Sequence, residues 1–250
     1  MEKNDRAQNR KIRRIKAWIR AGFVVILIGL AVFVLKSDIF NIKNYVVEGN
    51  YYYSDEEIIS MGKCPKNVNI LYGIDCKDIR ERLNRDSYTK DVEISRKLPD
   101  TIEIKIQERV QTAALFYGEN YVVLDDERIV LRKTTVDPKV TLLKGFMITK
   151  MNIGEAAEVE ETVLLRQAYD IIRAANENDM YFVCIQLADG ELSAKVLNNL
   201  TVKGSADKII EVVKTGELQV VIEKLFEQNI ERGVINVSGD NYISFNPKIE

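Results

Sequence analysis

The sequence predicts an α+β fold behind one N-terminal membrane helix, on three observations. The first is an apolar, uncharged run over residues 21–35 that follows a basic flank. The second is a pair of helix signals between short β-like runs: a Ser54-Asp-Glu-Glu57 capping box, and Cys76, Ile79 and Leu83 at helical spacing. The third is strict alternation on both sides of Leu98-Pro-Asp100.

The apolar run alone reaches about 22 Å at about 1.5 Å per residue, short of a hydrocarbon core of about 30 Å. Extension to residues 17–36 gives about 30 Å and takes in Trp18 and Arg20, side chains suited to the headgroup level. Residues 1–20 hold eight Lys/Arg against Glu2 and Asp5, a local net of +6 in a chain whose total is −2. Residues 1–16 are therefore expected as a cytoplasmic basic tail, with the C-terminal part outside. Attraction to lipid accounts for the cluster, and the overall charge gives no sign of a nucleic-acid partner. A cleaved signal peptide would need a small-x-small site. The nearby triplet, Gly29-Leu-Ala31, lies inside the apolar run, so an uncleaved anchor is expected.

Beyond the anchor, Asn44-Tyr-Val-Val-Glu-Gly-Asn50 reads as a strand ending at a turn. Ser54 caps a helix through about Met61, and Asp75 caps a second. Val92 and Ile94 alternate with Asp91, Glu93 and Ser95; Ile102, Ile104 and Ile106 alternate with Glu103, Lys105 and Gln107. This is a hairpin with one wet and one buried face. The order β-α-α-β-β packs economically as a three-stranded sheet with two helices on its apolar face.

Residues 112–116, 121–124 and 128–131 read as short strands, and a segment around Leu142-Leu-Lys-Gly145 closes that part. Helical spacing runs over 158–175 with Leu164, Ala168, Ile171, Ile172 and Ala175 inward. Strands are expected at 182–187, 191–196 and 200–203, and helices at 207–213 and 217–228 with a break at Thr215-Gly216. The chain closes with strands at 234–238 and 241–247.

The chain holds no histidine, which removes the commonest general base and metal ligand. Cys64, Cys76 and Cys184 form no CxxC, so a zinc site is not expected. The spacing permits a Cys64–Cys76 bridge; three partly buried thiols is the plainer expectation. Ser60-Met-Gly-Lys63 and Ser205-Ala-Asp-Lys208 lack the companion motifs of penicillin-binding enzymes and read as helix ends. Asp125-Asp126-Glu127 offers a carboxylate run for a hard cation, with a solvated hairpin turn the plainer reading. Tyr51-Tyr52-Tyr53 reads equally as a contact patch or as half-buried loop packing. No catalytic residue, cofactor, metal or small-molecule substrate is expected.

Phe40-Asn-Ile-Lys-Asn-Tyr-Val-Val-Glu-Gly-Asn50, Ser54-Asp-Glu-Glu-Ile-Ile59, Arg96-Lys-Leu-Pro-Asp-Thr-Ile102 and Ile106-Gln-Glu-Arg109, in that order, resemble a POTRA domain. In particular they resemble that of the FtsQ/DivIB family of bacterial cell-division proteins, where a basic tail and one membrane helix run directly into POTRA. The likeness extends over about residues 10–247. It implies a POTRA domain at 39–108 and, at 109–250, a β-domain whose mixed sheet carries helices on one face. It departs at Val140-Thr-Leu-Leu-Lys-Gly145, where family members often carry a proline before the glycine.

The resemblance further implies a non-enzymatic scaffold at the division septum. Its helix and tail contribute to septal placement, and POTRA takes part in recruitment. The β-domain binds the extracellular parts of FtsB/DivIC-like and FtsL-like coiled-coil proteins, a complex that regulates septal peptidoglycan synthesis. The family's partner-binding edge lies in the closing strand, which points to Tyr242, Ile243, Ser244 and Phe245. Tyr242 and Ser244 share one face; hydrophobicity turns Ile243 and Phe245 toward the core. Two other readings differ in class: a POTRA-bearing polypeptide-export component, which usually precedes a β-barrel not seen here, and a single-span sensor, which requires an apolar ligand pocket.

Overall fold

The computed structural model describes residues 2–196, 199–238 and 243–247. It opens with helix α1 (Glu2–Leu35), which continues back through the basic flank. Within α1, Trp18–Leu35 is apolar enough to cross a bilayer, and none of it is buried inside the protein. Its 18 residues span about 27 Å. The chain divides into two compact units, Met1–Asn84 with Asp91–Gln107, and Arg85–Lys90 with Glu108–Glu250.

In the first unit a single 3-10 turn, η1 (Asp38–Phe40), leads into β1 (Asn44–Glu48), α2 (Asp55–Met61), α3 (Cys76–Leu83), β2 (Thr89–Lys97) and β3 (Thr101–Glu108). The expected capping box forms. Glu57 N–H donates to Ser54 Oγ at 3.4 Å, and Ser54 N–H donates to Glu57 Oε2 at 2.9 Å. Asp75 caps α3 by accepting from the Lys77 and Asp78 amides. The sheet order is β1-β3-β2, with β1 parallel to β3 from Asn44↔Thr101 to Glu48↔Lys105. Ile102, Ile104, Ile106 and Val92 meet Ile58, Ile79 and Leu83 in one core, with Ile42, Ile70 and Ile74 closing it. Each such side chain stabilises the fold by about 1.5–3 kcal/mol through burial. The β-α-α-β-β order thus folds as its alternation dictates.

The second unit holds a nine-stranded mixed sheet in the order β14-β13-β12-β11-β10-β7-β4-β5-β6. The strands are β4 (Ala113–Tyr117), β5 (Asn120–Leu124), β6 (Val130–Thr134), β7 (Thr141–Lys144), β10 (Cys184–Ala188), β11 (Glu191–Val196), β12 (Leu200–Lys203), β13 (Gly233–Val237) and β14 (Ile243–Pro247). A separate pair, β8 (Ile148–Lys150) with β9 (Glu158–Val159), lies outside it. Helices α4 (Thr162–Glu177), α5 (Ala206–Lys214) and α6 (Glu217–Glu227) contribute Leu165, Ala168, Ile209, Val212, Leu218 and Ile222 to a core shared with Leu115, Leu143, Ile185, Ala194, Val202 and Ile235 of the sheet. The α5–α6 break falls where expected, at Gly216, whose φ of 75° suits glycine.

Several expectations change. α4 starts at Thr162, because Glu158 and Val159 are used in β9 and the Glu161 carboxylate accepts the Met147 amide at 3.0 Å. The first inward leucine is Leu165; Leu164 is only half-buried. The third strand of this unit begins at Val130, since Arg128 turns with φ 67°. The segment around Leu142 is a central strand, β7, parallel to both β4 and β10. Gly145 ends it with φ 86°, and a Cβ there would meet the Leu187 carbonyl oxygen at 2.1 Å.

Candidate partner-binding edge

β14 is the last strand of the nine-stranded sheet and, among the described residues, pairs only with β13. The antiparallel register runs Gly233↔Pro247, Ile235↔Phe245 and Val237↔Ile243, with Val234↔Asn246 and Asn236↔Ser244 between. Ile235 and Val237 are buried, and Ile243 and Phe245 pack against the same core. Alternation then places Ser244 beside Asn236 on the opposite face. The inward turn of Ile243 and Phe245 agrees with their hydrophobicity. Tyr242 lies outside the described residues.

The main-chain direction of each β14 residue follows from one hydrogen bond. Gly233 N–H donates to Asn199 O at 3.1 Å, on the β12 side. In a strand, the N–H and C=O groups of alternate residues point to opposite edges. Gly233, Ile235 and Val237 therefore serve β12, and Val234 and Asn236 serve β14. Across the ladder, Ser244 and Asn246 bond back to β13. The N–H and C=O groups of Ile243 and Phe245, and the C=O of Pro247, point outward. Proline suits such an edge, where its missing N–H removes no ladder bond.

The far edge of the sheet is different. On β6, Val130 N–H donates to Glu155 O at 2.9 Å, and Val130 O accepts from Gly154 N–H at 2.8 Å. Leu131 O accepts from Ser87 Oγ at 2.7 Å. Arg132 and Lys133 follow, charged side chains of the kind that blunt an edge. The first half of β6 is thus closed by its own unit, while β14 keeps an outward run.

The other sequence candidates resolve as structure. Asp126 and Glu127 form the exposed turn expected between β5 and β6, and Asp125 is the correction, fully buried beside them. It accepts from the Glu127 and Ile129 amides at 3.0 and 2.7 Å and from Arg109 Nη1 at 2.5 Å. Arg109 also binds Glu127 at 2.7 Å, and Lys90 reaches Glu127 at 3.0 Å. Hydrogen bonds from Arg109 and then Lys90 hold the Glu127 carboxyl below its ordinary range. Nothing in the sequence around 125–127 announced Arg109 as the partner, because the pair is closed by tertiary folding.

Ser205 directly precedes α5, and Lys208 pairs with Glu211 at 2.8 Å, so the serine–lysine string serves a helix start. Tyr53 packs on the first unit's core and meets Tyr52 edge-on at 4.9 Å, while Tyr51 stands exposed. Cys64, Cys76 and Cys184 are free thiols, the first two half-buried and the third buried. A pocket of about 330 Å³ in the second unit is lined by Thr112, Asp126, Arg173, Asn176 and Glu177 around Tyr169 and Ile172. Asp126, Arg173 and Glu177 give that lining three charged side chains beside its apolar surface.

A family model described as POTRA domain, FtsQ-type, matches residues 40–109. The chain is 28% identical over 210 residues to Cell division protein DivIB of Clostridium acetobutylicum, covering 82% of each chain. It is 28% identical to Cell division protein DivIB of Clostridium botulinum, covering 84% of this chain and 86% of the relative. To Cell division protein FtsQ of Rickettsia bellii it is 23% identical, covering 77% of this chain and 68% of the relative. Alignments of this length run well past the POTRA match and into the unit that carries the nine-stranded sheet. With an apolar helix leading into a matched FtsQ-type POTRA domain and relatives of one kind aligned through both units, the chain is similar along most of its length to DivIB and FtsQ cell-division proteins.

Proposed function

We propose that this cell-division protein is a non-enzymatic membrane scaffold of the bacterial divisome. It links early and late division proteins and regulates septal peptidoglycan synthesis by binding FtsB/DivIC-like and FtsL-like proteins outside the cell. Its domains are a cytoplasmic tail at 1–16, a membrane helix at 17–36, POTRA at 39–108 and a β-domain at 109–250. The basic flank orients the N-terminus to the cytoplasm.

The outward main-chain run of β14 carries the reading. A partner strand laid beside Ile243–Pro247 gains main-chain hydrogen bonds for affinity, and its alternate side chains supply selectivity. The partner-binding residues are Tyr242, Ile243, Ser244 and Phe245. Ile243 and Phe245 offer main-chain groups outward while their side chains hold the strand to the core.

The test uses the full chain in detergent with tagged extracellular parts of the two coiled-coil proteins. Ile243→Pro removes an outward donor and leaves the β13–β14 ladder intact, so capture should weaken on the order of tenfold. Truncation after Ser238 should abolish it. Unchanged capture by both variants would sink the proposal. A fluorescent fusion should form a mid-cell band in dividing cells; uniform envelope fluorescence would contradict the septal role.

A further inference from the structure

The end of α1 is bonded into the first unit. Lys36 and Ser37 continue its hydrogen bonding, with Lys36 N–H to Val32 O at 3.1 Å and Ser37 N–H to Val34 O at 3.0 Å. The Leu35 carbonyl, which helix geometry leaves without a partner, accepts from Asn69 Nδ2 at 2.8 Å. Asn69 is itself buried, and its Oδ1 accepts the Leu71 amide at 2.9 Å. Ile70 N–H donates to Phe40 O at 2.8 Å, and Ile42 N–H to Val68 O at 2.9 Å. The 67–73 loop and the η1 segment are therefore held against the last turn of the helix.

Two large side chains stand exposed at this end: Ile39, 59% exposed beside half-buried Phe40, and Tyr72, 66% exposed beside half-buried Leu71. A third follows from the sheet. β1 and β3 are parallel with Asn44↔Thr101, and both Lys43 and Asn44 N–H donate to Asp100 O. The β2–β3 turn therefore lies at the end of the sheet where the chain arrives from η1. Its tip carries Leu98, 60% exposed. The far end of β1 leads instead to Tyr51, 94% exposed.

We propose that Ile39, Tyr72 and Leu98 form a lipid-seated rim, inserted at the outer headgroup level of the bilayer that α1 crosses. The occupant is the membrane itself. The rim continues from an apolar helix whose last carbonyl is already bonded to the rim's own loop. An amphipathic tyrosine suits that depth, and exposed Lys36 reaches lipid phosphates from the same place. Trp18 marks the opposite interface, so the span is bracketed by aromatic side chains at both ends. The proposal rests on α1 crossing a membrane and is independent of which proteins the β14 edge binds.

The experiment uses the full chain in lipid nanodiscs. In a Trp18→Phe background, Ile39→Trp, Tyr72→Trp, Leu98→Trp and Tyr51→Trp each give a single tryptophan, excited selectively over the tyrosines. All four positions are exposed, and circular dichroism confirms that each variant keeps its fold. Ile39→Trp, Tyr72→Trp and Leu98→Trp should be quenched by lipids brominated near the glycerol end. They should be shielded severalfold from aqueous iodide relative to Tyr51→Trp. Iodide access equal to that of Tyr51→Trp overturns the rim. Shielding from iodide without quenching by brominated lipid also overturns it, because a protein surface would then be the cover.

Discussion

The ring of Phe245 lies directly over Gly233, so that a Cβ on the glycine would sit 2.4 Å from the ring's Cε2 and Cζ and 2.7 Å from Asn246 O. Glycine leaves a gap in the strand, and the neighbouring strand's aromatic ring fills it. Gly233→Ala should therefore displace Phe245 and loosen β14, costing about 1–3 kcal/mol as an overpacked core does. Urea unfolding of the full chain in detergent measures this. Gly233→Ala should lose both stability and partner capture, whereas Ile243→Pro should lose mainly capture. Equal midpoints for Gly233→Ala and the parent chain would contradict the packing argument.

Arg109→Ala should cost about 3–5 kcal/mol, because it strands the fully buried Asp125 carboxylate. Lys90→Ala should cost under about 1 kcal/mol, since its partner Glu127 is half in solvent. The same urea experiment compares them. A Lys90→Ala effect as large as that of Arg109→Ala would show that Asp125 does not depend on its arginine.

Stability should be nearly flat between pH 6 and 7 and fall below about pH 4.5. With no histidine, no side chain with an ordinary pKa titrates in that upper window. Glu57 is held below its ordinary 4.5, first by the Ser54 amide and then by the Ser54 hydroxyl. Glu103 is lowered first by Ser95, Glu127 first by Arg109, and Glu155 first by Lys150. A carboxyl depressed in the folded state contributes stability above its unfolded pKa and loses it as pH falls through the folded value. Urea midpoints across pH 3–8 measure the profile. A midpoint that rises as pH falls from 6 to 4 would contradict this assignment.

Cys64 should resist alkylation in the folded protein. Burial foremost pushes its thiol up to about 11 from 9.0, against the pull of Arg82. At pH 8 that leaves about a hundredfold less thiolate than an ordinary cysteine. Burial raises Cys184 as well. Iodoacetamide labelling followed by mass spectrometry should find both slow until urea is added. Native-state labelling of Cys64 at the rate of free cysteine would overturn this.

The first unit was readable because its signals are local. Ser54 and Glu57 are three residues apart, and the isoleucines at 102, 104 and 106 alternate within one strand. Much of the second unit's order is non-local. β7 is four residues long without a turn of its own, and it becomes a central strand only by pairing in parallel with β4 and β10. Glu158 and Val159 sit before a strong helical pattern, and a tertiary strand pairing with β8 withdraws them from it. Asp125 reads as a turn residue because its partner, Arg109, lies 16 residues away. At the proposed edge, the inward faces of Ile243 and Phe245 were legible from hydrophobicity. Which main-chain groups point outward was not, since that depends on the bond from Gly233 to Asn199.

The unequal edges of the nine-stranded sheet also bias how further strands can add to it. A sheet open on both sides is a template for end-to-end growth, each added strand offering a fresh edge to the next copy. Here Glu155, Gly154 and Ser87 occupy the start of β6 at one end, while at the other, among the described residues, β14 pairs only with β13 and keeps an outward run. Among the described residues the two ends therefore differ: copies of this chain cannot stack through the covered start of β6, and a strand added in the proposed way at β14 would meet the more open end.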